Sequence, residues 1–115
     1  MKITELNARA ESAEHLLKSM ANRYRLMVLC ELHGGERSVG ALLGEVGLSQ
    51  SALSQHLARL RADGLVTTRR ESQTIYYALA SDHVVRVIAL LHQLYCSPKM
   101  RPEPNSMKAR ARLRI

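Results

Sequence analysis

The stretch LSQSALSQHLARLRADGLVTTRRESQTIYYAL, residues 48–79, changes its period at the midpoint. The first half reads as a helix. Ser49 is a good N-cap, Leu53, Leu57 and Leu60 share one face at helical spacing, and Asp63-Gly64 ends the run. The second half reads as two strands. Residues 65–70 and 74–79 are rich in β-branched and aromatic side chains, with the polar Glu71-Ser72-Gln73 between them, so a β-hairpin is predicted even without an Asn-Gly turn.

The flanking sequence extends this pattern. Residues 4–20 carry Leu6, Ala10, Ala13, Leu16, Leu17 and Met20 on one face of an amphipathic helix. Asn22 caps a second helix, with Leu26, Leu29 and Leu32 on one face and Gly34-Gly35 as its stop. Ser38 caps a short third helix holding Val39, Leu42, Leu43 and Val46, and Gly47-Leu48-Ser49 makes a three-residue turn into the fourth. Beyond the hairpin, Ser81 caps a last helix whose expected buried row is Val84, Val87, Ile88, Leu91 and Leu94. The predicted order is α-α-α-α-β-β-α, mainly helical with a β-hairpin. A short helix, a tight turn and a longer helix form a helix-turn-helix, and the hairpin behind them makes it winged. Residues 1–96 are expected to form this domain. Residues 97–115, with Pro98, Pro102, Pro104 and alternating arginines, read as a basic disordered tail.

Composition excludes several classes. With 115 residues the chain has no room for two cores. Hydrophobic residues make up 46% and charged residues 23%, as in an ordinary soluble chain, and no apolar run approaches the length of a membrane span. The first twenty residues alternate charge with apolar side chains and contain no signal-peptide core, so a cytoplasmic protein without a membrane partner is expected. Two cysteines cannot staple a secreted mini-fold. No glycine-rich phosphate loop, nucleophile elbow or carboxylate pair beside a histidine points to an enzyme, and no cofactor is expected.

The net charge is +7, but most of it lies beyond Ser97. A basic excess attracts polyanions, chiefly nucleic acid, only where the body supplies a surface. The fourth helix supplies one. Opposite its leucines stand Ser51, Ser54, Gln55, Ala58, Arg59 and Ala62, with Gln50 and Arg61 on a flank. Glutamine can pair with the edge of adenine, arginine with guanine, and serine with bases or phosphate, while small residues let a helix sit deep in a major groove. Arg69 and Arg70 fall near the hairpin tip, where a wing meets phosphate or the minor groove. The partner implied is double-stranded DNA. The alternative, a winged helix that docks a protein, calls for an exposed apolar patch on the fourth helix.

This stretch resembles the recognition helix and wing of ArsR/SmtB-type winged-helix transcriptional regulators. The resemblance continues upstream through LLKSMANRYRLMVLCEL, residues 16–32, and downstream to LYC, ending at Cys96, and leaves the tail unmatched. It implies a cytoplasmic homodimer joined through its first and last helices and bound to a pseudo-palindromic operator. By position, Gln50, Ser51, Ser54 and Gln55 read the major groove, His56 and Arg59 lie on the same helix, and Arg69, Arg70 and Gln73 belong to the wing.

The family's metal sites are missing. Where arsenic and cadmium sensors carry Cys-x-Cys, this chain has Ser38 and Gly40; the zinc pattern of the last helix is broken at Asp82-His83-Val84, with a solitary His92 and no following glutamate. The contexts of Cys30 and Cys96 instead resemble the dithiol branch of the family. That resemblance implies a redox switch in which persulfide, polysulfide or an oxidant bridges Cys30 and Cys96. Two alternatives stand beside it: both cysteines as small buried hydrophobes, and a zinc set of Cys30, His33, His92 and Cys96 built from helical i, i+3 and i, i+4 pairs.

Overall fold

The computed structural model describes residues 1–95; Cys96 and the tail expected over residues 97–115 lie outside the described residues. The elements run α1 (Ile3–Met20), α2 (Arg23–His33), β1 (Arg37–Ser38), α3 (Val39–Val46), α4 (Gln50–Ala62), β2 (Val66–Glu71), β3 (Thr74–Leu79) and α5 (Asp82–Tyr95). The backbone divides into two compact units, Met1–Val85 and a second that begins at Arg86, within α5.

Four helices begin on the caps read from the sequence. Asn22 Oδ1 accepts from the N–H groups of Tyr24 and Arg25. Ser38 Oγ accepts from Ala41, Ser49 Oγ from Ala52 and Ser81 Oγ from Val84. Each bond satisfies a backbone donor that the first helical turn leaves without a partner. Gly47 closes α3 at φ +72°, a left-handed conformation that glycine adopts without steric cost, and this turns the chain sharply into α4.

The core of the first unit is aliphatic. Val28, Leu29 and Leu32 of α2, Leu42 and Val46 of α3, and Leu53, Leu57 and Leu60 of α4 are buried with Met20, Leu65, Val66 and Val84. The leucine row of α4 thus faces inward as its spacing requires. Arg25 is buried at the α1–α2 junction, where its Nε donates to the Ser19 carbonyl and its Nη2 to that of Lys18. It thereby satisfies the Ser19 carbonyl, which the last turn of α1 leaves open, and shares the Lys18 carbonyl with the Ala21 N–H.

Three sequence expectations need correction. The sheet has three antiparallel strands in the order β1-β3-β2, and β1 was not foreseen. Arg37 pairs with Tyr77 and Ser38 with Tyr76, and a strand of two residues shows no periodicity of its own. The first strand of the hairpin also sits one residue later than expected. Glu71 pairs with Thr74, so Glu71 joins β2 and the loop is only Ser72-Gln73, while Leu65 precedes the strand. Ser72 sits at φ +60°, the hairpin's substitute for the missing glycine. Finally, Leu94 of α5 is exposed, whereas Val84 and Ile88 are buried. At about 100° per residue, Leu94 lies roughly 80° round the helix from Val84 and has drifted off the row.

Helix α1 is exposed over residues 3–15, Leu16 is half-buried, and only its end, Ser19 and Met20, is buried. Of the apolar face read from the sequence, Met20 is buried and Leu16 half-buried, while Leu6 is 48% and Leu17 59% exposed; Ile3, just before it, is 75% exposed. In α5, Leu90 and Tyr95 are likewise exposed. Among the described residues no helix is long and apolar enough to cross a membrane.

Candidate nucleic-acid interface

Burial of Leu53, Leu57 and Leu60 orients α4, and the rest of the helix follows from its period. Gln50, Ser51, Ser54, Gln55, Ala58, Arg59, Arg61 and Ala62 are all exposed. The outward surface therefore carries short, amide and guanidinium side chains and no large apolar group, which is the opposite of a protein-docking patch. Arg59 is partly engaged. Its Nε donates to Asp63 Oδ2 at 2.9 Å, one turn on, and this hydrogen bond is the main cause holding the Asp63 carboxyl below the usual carboxylate range. The same carboxylate faces His15 of α1 at 3.8 Å. Ser19 Oγ is buried without a hydrogen-bond partner among the described residues, yet lies near enough to help keep Asp63 ionised.

His56 behaves differently from its neighbours on α4. It is half-buried, and its ring stacks on Tyr24 of α2, with centroids 6.2 Å apart and an interplanar angle of 29°. The Arg23 guanidinium carbon lies 5.2 Å from the centre of the Tyr24 ring. The structure thus brings His56 into helix packing, and adds Arg23 and Tyr24 to the neighbourhood of α4. The only sequence signal for these two is their position directly after the Asn22 cap.

Between α4 and the hairpin runs an open cleft of about 540 Å³, lined by Ser38, Gly40, Gln50 and Ser54 on the helical side and by Gln73, Ile75 and Tyr77 on the wing side. Of the expected site residues, Gln50, Ser54 and Gln73 are thus brought together. The two wing arginines are separated. In the register of the hairpin Arg69 pairs with Tyr76 and Arg70 with Ile75, so the period of two sends them to opposite faces. Arg70 shares the face of Ile75 and Tyr77, which line the cleft. Arg69 lies on the other face, over the Tyr76 ring, and its guanidinium forks onto Glu36 at 2.7 and 2.9 Å and reaches Glu71 at 3.3 Å. The hydrogen bond from Arg69 lowers the Glu36 pKa and, reciprocally, raises that of Arg69. Glu36 has no signature in the sequence reading; it is a lone glutamate in a loop.

Cys30 is half-buried in α2, and His33 and His92 are half-buried in α2 and α5. Among the described residues no three His, Cys, Asp or Glu side chains gather into a metal-binding group; the zinc set also needs Cys96, which lies outside them.

Comparison with known proteins agrees with this architecture. The profile of bacterial regulatory proteins of the arsR family matches residues 22–68, from the cap of α2 into β2. The transcriptional activator HlyU of Vibrio cholerae is 54% identical over 96 residues, which span 84% of this chain and 89% of that protein. The structure of reduced HlyU from Vibrio cholerae superposes with a TM-score of 0.80 at 54% identity, covering 83% of this chain and all of that one. A Mycobacterium bovis protein, Mb0332, described as a homodimeric winged helix-turn-helix DNA-binding domain, aligns with a TM-score of 0.69 at 33% identity over 78% of this chain and 83% of that one. With a winged helix-turn-helix, a polar recognition-helix surface and relatives that are transcriptional regulators and not enzymes, this chain belongs to the ArsR family of DNA-binding bacterial transcriptional regulators.

Proposed function

We propose that this protein is a homodimer that reads a pseudo-palindromic operator and releases it when Cys30 and Cys96 become bridged. The observation that carries the DNA reading is the two-sided character of α4: its leucines are fully buried, and every residue pointing away from them is small, amide-bearing or cationic. Gln50, Ser51, Ser54, Gln55 and Arg59 are the groups for base edges and nearby phosphates, His56 orients the helix through Tyr24, and Arg69, Arg70 and Gln73 serve in the wing.

A second copy accounts for the uncovered apolar face of α1, where Ile3, Leu6 and Leu17 are solvated in the single chain. Homodimerisation in the Mycobacterium bovis relative supports this. A twofold pair of recognition helices enters successive major grooves when half-sites lie about 34 Å apart.

The redox part rests on the half-buried Cys30 in α2 and on the similarity to HlyU, one of whose structures is described as the reduced protein. In the switch, one thiolate attacks a polysulfide sulfur, breaking its S–S bond and releasing a shorter polysulfide or hydrosulfide. The second thiolate attacks the resulting persulfide, joining the two cysteines directly with loss of hydrosulfide, or attacks a longer sulfur chain and keeps added sulfur. Two electrons thus pass from the thiolates to the polysulfide. The test couples intact mass to a gel shift. Reduced protein binds the operator, and polysulfide-treated protein shows the mass of the bridged form and binds at least about tenfold more weakly. Cys30→Ser and Cys96→Ser each bind DNA and ignore polysulfide. Release of DNA by either single variant on polysulfide treatment rules out the two-cysteine bridge, and tight zinc uptake that depends on His33 and His92 replaces it with metal sensing.

A further inference from the structure

We propose that the wing's two adjacent arginines divide the labour: Arg70 is the phosphate contact, and Arg69 is a positioning residue that clamps the wing to the helix-turn-helix through Glu36. The inference rests on the reading of the wing as a DNA contact. Three observations carry it.

The first is direction. Arg70 stands opposite Ile75, on the face whose Ile75 and Tyr77 line the cleft beside Gln50 and Ser54 of the recognition helix. Arg69 stands on the other face. The second is occupancy. The Arg69 guanidinium already meets three carboxylate oxygens, two from Glu36 and one from Glu71, and covers Tyr76. A phosphate would have to displace a forked pair whose two parallel bonds match in geometry. Arg70 is exposed and, among the described residues, has no ion-pair partner.

The third is placement. The sheet order is β1-β3-β2, so β1 and β2 flank β3 and do not pair with each other. Glu36 immediately precedes β1, and Arg69 belongs to β2. Their ion pair spans β3 over the Tyr76 ring and ties the outer strand of the wing to the segment that leads through Ser38, the cap of α3, into the helix-turn-helix. With the clamp closed, the hairpin carries Arg70 at a set angle to α4. With it open, the hairpin must be ordered when DNA binds, which costs affinity without changing the number of phosphates met.

The test uses a duplex selected from a random library by the full-length reduced protein, with affinity measured over a range of salt. Arg70→Ala weakens binding about fivefold to tenfold at 0.1 M salt and lowers the slope of log affinity against log salt by about 0.9, the mark of one lost phosphate contact. Arg69→Ala and Glu36→Gln each weaken binding about twofold to fivefold and leave the slope unchanged. In the Arg70→Ala background, Arg69→Ala costs nothing more, because Arg69 acts through Arg70. Arg69→Lys keeps the charge but cannot fork two oxygens, so it reproduces the loss, and it replaces Arg69→Ala if the latter lowers the melting temperature.

The proposal is overturned if Arg69→Ala lowers the slope, or if Glu36→Gln tightens binding by releasing Arg69 to the DNA. A wild-type slope for Arg70→Ala overturns it as well. Gln55→Ala separates this failure from failure of the DNA reading. If Gln55→Ala loses base preference while all wing variants bind as wild type, only the wing assignment is wrong. If the library yields no selected duplex, the DNA reading itself fails.

Discussion

Arg69 and Glu36 are 33 positions apart, and their side chains meet in a two-point ion pair that crosses the middle strand of the sheet. Adjacent in sequence to Arg69, Arg70 faces the other way. The same residue type at neighbouring positions therefore enters two different electrostatic environments, one closed by carboxylates and one open beside the recognition helix.

The Glu36–Arg69 pair is sensitive to acid. The Glu36 carboxyl is held below its ordinary value, chiefly by the Arg69 hydrogen bond, so the folded pKa is depressed. The pair's contribution is then fully present above the ordinary carboxylate range and is lost as pH falls through the lowered value. The Tyr76 ring signals in an NMR titration should shift over that acid window in the wild type and stay level there in Glu36→Gln. A wild-type titration unchanged by the substitution would contradict the assignment.

Asp63 joins the end of α4 to α1. Arg59 holds its carboxyl down first, Ser19 second, and His15 lies across from it. Asp63→Asn should destabilise the protein by about 1 kcal/mol at neutral pH, as expected when an ion-paired hydrogen bond loses the charge on its acceptor. Because the folded pKa is lowered, the difference between the two proteins in urea should shrink as pH falls through the Asp63 value. A difference that grows on acidification would show that another group carries the effect.

Arg25 is buried, and its removal takes the guanidinium donor from the Ser19 carbonyl and leaves the Lys18 carbonyl with the Ala21 N–H alone. Arg25→Met, which keeps most of the aliphatic stem, should cost about 2 kcal/mol, since the buried Ser19 carbonyl loses a charge-assisted bond. Urea denaturation measures this directly. A cost near zero would mean that water replaces the guanidinium at the α1–α2 junction.

Gln55 and Ser54 are exposed on the outward face of α4. Gln55→Ala and Ser54→Ala should each cost about 1–3 kcal/mol of base discrimination without loss of fold. Competition between the selected duplex and single-base variants reports this. Equal losses on selected and random DNA would mean that these side chains meet only the backbone.

Leu17 is 59% exposed on the apolar face of α1. If a second copy covers that face, Leu17→Glu places a charge in the interface and should convert the dimer to monomer in sedimentation at micromolar protein, with weaker operator binding but little change in helix content. A variant that stays dimeric locates the interface elsewhere.

The sequence by itself determined the helices, their starts and the aliphatic core. Those signals are local. Asn22, Ser38, Ser49 and Ser81 each act on N–H groups two or three residues away, and the rows through Leu53, Leu57 and Leu60 need only the helical period. It also determined the outward set Gln50, Ser51, Ser54 and Gln55, because burial of one helix face exposes the other. The tertiary structure alone decided what depends on partners distant in the chain. Only there does Tyr24 draw His56 into packing, and only there does a two-residue strand, β1, find Tyr76 and Tyr77. The roles of Arg69 and Arg70 belong to the same class. Neighbouring arginines are indistinguishable in composition and charge, and what separates them is the alternation of a strand whose register is set by its pairing, together with a glutamate from a distant loop.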